Sequence, residues 1–307
     1  MATPERALIT DSTTSLDPHR AADFRNESGI RVISLPSWIT IEEKPLPDFI
    51  IKTPDFYDRL GKSAELFNTS GANLGQFEKA YESLATHFGI NEIFTILSDV
   101  RLTCGVNSAT AATEAIKRKY PDMKIQVLDT QSVSVGAGIL IPEAIELLKQ
   151  DIPFEEISRK LELKAQNIKL FIAVSDAAYF LKSAGRRISK EGLEGVRTAV
   201  AALAMAFKVY PIVDLQEAKL IPKLLSRGKK GIPEKIIELI EKEKAKGKVL
   251  KRALVTHTNN EGRAQEMTDL LAARYNLSPK AIDYCEAGKV LAVYTGKDCL
   301  GVACLFE

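Results

Sequence analysis

The chain has 307 residues, 45% hydrophobic and 27% charged, with Lys+Arg 42 against Asp+Glu 40 for a formal net charge of +2. That length exceeds one typical core and favours two domains, and the composition is that of a globular protein, not a disordered or fibrous one. Balanced charge with a single Trp argues against a nucleic-acid partner, because phosphates call for a basic excess and bases for an aromatic platform.

Short apolar runs alternate with helical patterns through the first half. Residues 6–10 read as a buried strand ending at Asp11-Ser12-Thr13, 19–27 as a helix and 30–35 as the next strand. Thr53-Pro54-Asp55 has the marks of a helix start: a cap residue, proline at the first position and an acid in the first turn. Leu74, Phe77, Tyr81 and Leu84 recur at helical spacing and predict a helix over 74–88. Strand 92–97, helix 107–120, strand 124–128 and helix 135–148 follow. Repeated strand–helix–strand units imply a parallel sheet with helices on both faces.

Near Asp151 the rhythm changes. A helix over 153–165, a strand over 169–174 and a short helical pattern over 177–181 lead into Gly185-Arg186-Arg187 and a small-residue helix over 192–207. The runs 209–214 and 219–224, and again 290–294 and 299–306, are separated by turn-length gaps and read as hairpins. Strands 252–256 and 280–284 and helices 233–246 and 261–275 complete this half. The expected fold class is α/β with two domains. An N-terminal α/β/α domain over 1–165 holds a parallel sheet, and a C-terminal domain over 166–307 holds a mixed, largely antiparallel sheet covered by helices. The longest apolar run, 198–207, is far short of the ~20 residues of a membrane span. Cys104, Cys285, Cys299 and Cys304 show no CxxC or zinc spacing. With no signal-type segment before the first strand, they read as reduced core residues of a cytoplasmic protein.

Ligands of open parallel sheets bind beyond the carboxyl ends of the strands. Those ends are rich in hydroxyls here: 11–15, Ser98-Asp99 and 129–132, joined by the polar loop Asn68-Thr69-Ser70-Gly71. Each residue alone reads as a cap or turn residue, whereas four such loops at one end of one sheet point to a shared polar site. Thr103-Cys104-Gly105 opens a helix, where free amides favour an anion and a thiol is activated. Cys104 is thus either a nucleophile or an inert core residue. Gly136-Ala137-Gly138 resembles the start of a dinucleotide fingerprint, but Ile141 replaces its third glycine, and close helix packing explains the pair as well. His257 ends a strand, and with three histidines in all a histidine-based hydrolase is disfavoured. The guanidinium of Arg186 suits two-pronged capture of a carboxylate or phosphate. Arg227, Lys229 and Lys230 form a second basic cluster, either solvated surface or a docking face for an acidic partner.

Several short motifs, in order along the whole chain, resemble those of the DegV family of bacterial fatty-acid-binding proteins. They are 9–13, Thr69-Ser70 with Phe77 and Tyr81, 102–109, 128–130 running into Val135-Gly136-Ala137-Gly138, 179–188, 210–213, the Arg227 cluster and 293–302. The resemblance implies a fatty acid buried between two domains and presented to a separate fatty acid kinase, with no cofactor, no metal and no catalytic residue in this chain. It assigns the carboxylate to Thr69, Ser70, Ser98, Thr103, Arg186, Tyr294 and Thr295, and the kinase to Arg227, Lys229 and Lys230. The family's Leu-Ser-Gly-Thr reads Leu102-Thr103-Cys104-Gly105 here, and its closing His-x-Gly-Pro-Gly reads Tyr294-Thr295-Gly296-Lys297-Asp298. Tyrosine donates a hydrogen bond but brings no positive charge near neutral pH, and Asp99 beside a bound carboxylate would repel it. The alternative is an enzyme or phosphotransfer module acting on a small anionic metabolite at the hydroxyl-rich strand ends. A third reading is a regulatory relative that has lost lipid transfer.

Overall fold

The computed structural model describes residues 5–62, 67–184 and 209–307. The glycine–arginine stretch with Arg186, and the helix expected over 192–207, lie outside the described residues.

The first half winds a four-stranded parallel sheet. Strands β1 (Arg6–Asp11), β2 (Arg31–Leu35), β6 (Glu92–Leu97) and β7 (Lys124–Asp129) lie in the order β2-β1-β6-β7. The central strands β1 and β6 are buried along their whole length, as expected of parallel strands covered on both faces. Helices α3 (Leu74–Phe88) and α4 (Gly105–Lys119) pack one face through Phe77, Tyr81, Leu84, Ala109 and Ile116. Helices α1 (Pro18–Ser28), α6 (Leu140–Leu148) and α7 (Phe154–Ala165) cover the other through Ala21, Ile141, Ile145 and Ile157.

The second half builds a six-stranded sheet in the order β10-β9-β8-β13-β11-β12, antiparallel except for the β11–β12 pair. Its strands are β8 (Ile168–Ala173), β9 (Val209–Gln216), β10 (Lys219–Arg227), β11 (Leu250–His257), β12 (Ile282–Glu286) and β13 (Leu300–Phe306). Helices α9 (Ile232–Lys244) and α10 (Glu261–Tyr275) bury Ile236, Ile240, Met267 and Leu271 against one face. The opposite face packs against α5 (Val135–Gly138) and α8 (Ala177–Ala184) and forms the apolar side of the site.

Three expectations are corrected. The helix expected over 135–148 is two helices, α5 and α6, separated at Ile139. The break places Pro142 in the first turn of α6, where its missing N–H costs nothing. The strand expected over 290–294 is a helix, α11 (Lys289–Thr295), so the second hairpin does not exist. Glycines bound this run at both ends, with Gly296 at φ +77°, and its apolar side chains are buried around the helix rather than on one strand face. Finally, 68–71 is not all loop. Strands β3 (Trp38–Ile41), β4 (Lys44–Pro47) and β5 (Phe67–Ser70) form a small antiparallel sheet in the order β4-β3-β5, with Thr69 opposite Ile39 and Ser70 opposite Trp38. With α2 (Thr53–Lys62), this sheet packs Ile39, Phe56 and Phe67 against Val290 and Val293 of α11.

Candidate functional site

The carboxyl end of β1 turns sharply into a 3-10 turn, Ser12–Thr14, capped by Asp11, whose Oδ1 accepts from Thr13 N at 3.0 Å. Neighbouring backbone approaches this turn from two directions. A Cβ on Gly138 would lie 2.4 Å from Thr14 O, and one on Gly288 would lie 2.6 Å from Ser12 O. Only glycine permits such contacts, and Ser134 N donates to Thr13 O at 2.8 Å from the α5 side. Gly138 therefore serves close packing, and the dinucleotide reading of 136–138 has no role to play.

A cavity of about 340 Å³ opens beside the turn. One wall carries hydroxyls: Ser12 and Thr13, Thr69 and Ser70 from β5, Thr103 from the β6–α4 loop, and Tyr294 and Thr295 from α11. The other is aliphatic and aromatic, with Leu102, Ile172, Phe180, Leu215 and Leu220 prominent. Leu215 and Leu220 face each other across the β9–β10 hairpin. Tyr294 Oη and Thr69 Oγ1 share a hydrogen bond of 2.8 Å, which joins α11 to the small sheet. Ser183 of α8 donates to Tyr294 O at 2.5 Å and Tyr179 Oη to Val293 O at 2.8 Å. Among the described residues, no lysine, arginine or histidine lines this cavity.

Of the residues singled out from sequence, Thr69, Ser70, Thr103, Tyr294 and Thr295 are brought together here. Thr295 Oγ1 donates to Leu291 O at 3.2 Å, a bond internal to its helix. Ser98 does not line the cavity; it is fully buried behind the turn, 2.8 Å from Thr13 Oγ1. Asp99 is buried as well, and the Arg101 guanidinium grips it with bonds of 2.9 and 2.6 Å. Its charge is thus countered within its own loop, and the feared repulsion of a ligand is removed. The third hydroxyl loop is structural: Thr130 Oγ1 donates to Leu97 O and Asp129 Oδ1 accepts from Gln131 N, both at 2.9 Å. His257 Nδ1 accepts from Asn260 N at 3.1 Å within its own loop, and burial lowers its pKa.

Cys104 departs from the expected core cysteine, since it is exposed at the start of α4 and lines the cavity. No acid–base partner reaches it through a hydrogen bond or ion pair among the described residues. In the second basic cluster, Arg227 and Lys230 are exposed, while Lys229 Nζ pairs with Asp298 Oδ2 at 3.1 Å. Ser12 and Thr13 are cavity residues that the resemblance did not assign, although the hydroxyl-rich end of β1 signalled them. Among the described residues there is no group of three His, Cys, Asp or Glu arranged to hold a metal, and no helix long and apolar enough to cross a membrane.

A parallel and a mixed sheet meeting beside a cavity with one hydroxyl wall and one aliphatic wall define a protein of the α/β class with an amphipathic pocket. A family model described as "Uncharacterised protein, DegV family" matches residues 5–307, and the chain belongs to that family. Protein DegV of Bacillus subtilis is 24% identical over 98% of this chain and 99% of its own length. A DegV domain-containing protein of Staphylococcus aureus strain COL is 30% identical over 70% of this chain and 69% of its own. Among solved structures, a fatty-acid-binding DegV family protein from Thermus thermophilus superposes with a TM-score of 0.80 at 23% identity, covering 99% of this chain and 100% of that one. One from Eubacterium eligens, loaded with heptadecanoic acid, gives a TM-score of 0.80 at 19% identity over 98% and 100% of the two chains. These likenesses establish the two-domain DegV fold for this chain.

Proposed function

We propose that this protein binds a long-chain fatty acid and presents its carboxylate to a partner acyl kinase, contributing no catalytic group itself. The acyl chain lies against Leu102, Ile172, Phe180, Leu215 and Leu220. The carboxylate lies among Thr69, Ser70, Thr103 and Tyr294, with Arg186 as its cation. The observation that carries the reading is the division of one cavity into a hydroxyl wall and an aliphatic wall. Each methylene buried there stabilises the complex by about 0.8 kcal/mol, and a buried carboxylate needs the hydrogen bonds that the other wall supplies. The fatty acids named for relatives of the same fold support it. We place the boundary between the domains at residues 165 and 166, with the ligand between them. The kinase docks on the exposed Arg227 and Lys230, beside Lys229.

Native mass spectrometry of freshly purified protein tests the ligand. A co-purifying mass of a long-chain fatty acid is expected, and apo protein that takes up no added fatty acid would overturn the reading. The roles separate by mutation: Arg186→Ala weakens ligand retention, whereas Arg227→Ala leaves retention intact and slows turnover by the kinase. Equal effects of both on retention would contradict this division.

A further inference from the structure

One hydroxyl of the cavity wall, that of Thr13, has a hydrogen-bond polarity that is wrong for an anion. Thr13 Oγ1 carries one hydrogen and has two claimants behind the wall, Asp11 Oδ1 at 2.5 Å and Ser98 Oγ at 2.8 Å. Ser98 sends its own hydrogen to Thr13 O at 3.3 Å. An ionised carboxylate is the stronger acceptor, so while Asp11 is charged the Thr13 hydrogen points away from the cavity. The ligand then meets only a lone pair on Thr13.

Asp11 is itself fully buried, and its Oδ2 has no hydrogen-bond partner. It forms no ion pair among the described residues. A proton on Oδ2 would find no acceptor, but a proton on Oδ1 has one at once, Thr13 Oγ1. Placing it there reverses the bond: Asp11 donates and Thr13 accepts, and the freed Thr13 hydrogen is left to Ser98 Oγ or to a ligand in the cavity that Thr13 lines, of which an anionic ligand is the stronger acceptor. Resting on the fatty-acid reading above, we propose that binding of a long-chain carboxylate takes up one proton from solvent onto Asp11, which turns the Thr13 hydroxyl into a donor to the ligand. Asp11 is on this view a positioning residue, acting through Thr13.

The groups around Asp11 agree. The start of α4 faces its Oδ2, with Gly105 leaving room: a Cβ there would sit 3.1 Å away. The 3-10 turn over Asp48–Ile50 contributes a second buried carboxylate, Asp48, which repels Asp11. Lys289 of α11 faces Asp48 and draws it toward the charged form, and Asp48 also accepts from the Ser12 hydroxyl. The Asp99–Arg101 pair on the β6–α4 loop is internally neutral. Burial nevertheless raises Asp48 as far as Asp11, so what separates the two is geometry: Asp11 is the one that holds the Thr13 hydroxyl. Burial raises Asp11 to about 6, low enough to be charged in the apo protein at neutral pH and close enough to take a proton when an anion arrives.

Titration calorimetry of the full chain, stripped of ligand, with sodium laurate in phosphate and in Tris measures the protons taken up. At about pH 7.5 the wild type is expected to take up about one proton per laurate, and its Kd to rise about tenfold per pH unit above about pH 6. Asp11→Asn should take up none and show a flat Kd. Thr13→Val, which keeps the backbone bond to Asp11, should likewise take up none, and Asp48→Asn should behave as wild type. No uptake by the wild type overturns the proposal. So does uptake that persists in Asp11→Asn, which would put the proton on the ligand, or uptake lost only in Asp48→Asn. Failure of every form to bind laurate would instead refute the fatty-acid reading on which the proposal stands.

Discussion

Two of the elements that bring hydroxyls to the cavity are fixed by different physics. The Ser12–Thr14 turn is held by backbone, with Gly138 and Gly288 pressed against its carbonyls and Ser134 N bonded to Thr13 O. Thr69 arrives on a three-stranded sheet that packs through an apolar cluster on α11 and is tied by side-chain bonds, Thr69 to Tyr294 and Trp38 Nε1 to Gln76 Oε1 of α3 at 3.0 Å. Backbone contacts at van der Waals limits fix a position, because cores resist added atoms. Apolar packing is non-directional and tolerates small slides. The turn is therefore the more rigid of the two, and on the proposed reading a ligand head would meet a fixed turn on one side and a more adjustable sheet on the other.

The sharpest way to break this contrast is to add one carbon to the turn's neighbours. Gly288→Ala pushes a Cβ into Ser12 O and should destabilise the protein by about 3 kcal/mol, with loss of fatty-acid retention. Chemical denaturation and native mass spectrometry read the two effects. A variant with unchanged stability and a full ligand load would show that the turn has slack.

Next in size is the cost of charge beneath the turn. Burial lifts both Asp11 and Asp48 from an ordinary 3.8 to about 6. The folded protein then holds protons that the unfolded chain has released. The stability this supplies is complete below about pH 4 and is lost as pH rises to about 6. Wild type should lose about 2 to 3 kcal/mol relative to Asp11→Asn across that window. Parallel stability curves for the two proteins would refute it.

On the adjustable wall the effect is smaller. Tyr294→Phe removes the bond to Thr69 and should cost about 1 kcal/mol. Hydrogen exchange should quicken in β5 and β3 while the parallel sheet stays protected. Equal acceleration in β1 would mean that the two walls are not separate.

The same contrast explains what could be seen in the sequence. Strands β1 and β6 are continuous apolar runs because both faces are buried, and the sequence shows them without help from tertiary contacts. Strands β3 to β5 have four residues each, and β4 contains Pro45 and Pro47. Their hairpin turns through Glu42 and Glu43, both at positive φ, without the Asn-Gly signal that usually marks such a turn. Only pairing and packing on α11 make them strands. The run 290–294 has the β-branched and aromatic composition of a strand, yet its burial on all sides selects a helix. Local propensity was the weaker influence there. Asp99 and Arg101 lie two residues apart, so their pairing was available to a reader of the sequence. The role of Ser98 was not, since nothing local shows a side chain turning behind Thr13 instead of into the cavity.

Cys104 offers the gentlest probe of how the two walls close on a ligand. Its thiol lies beside Gly71, just beyond β5, where a Cβ would be 3.2 Å from Sγ, and it lines the cavity while remaining exposed. Burial pushes the thiols of Cys285 and Cys299 up to about 12 and about 11, and that of Cys304 higher still. Since the thiolate is the reactive form, iodoacetamide should label the folded protein at Cys104 alone. Cys104→Ser, at an exposed position, should change stability by less than about 0.5 kcal/mol. Bound laurate should slow the labelling if, as proposed, the ligand lies between the turn and the β5 wall, where it would exclude the reagent. If the rate is the same with and without saturating laurate, the ligand does not occupy this end of the cavity, and the hydroxyl wall is not where its head lies.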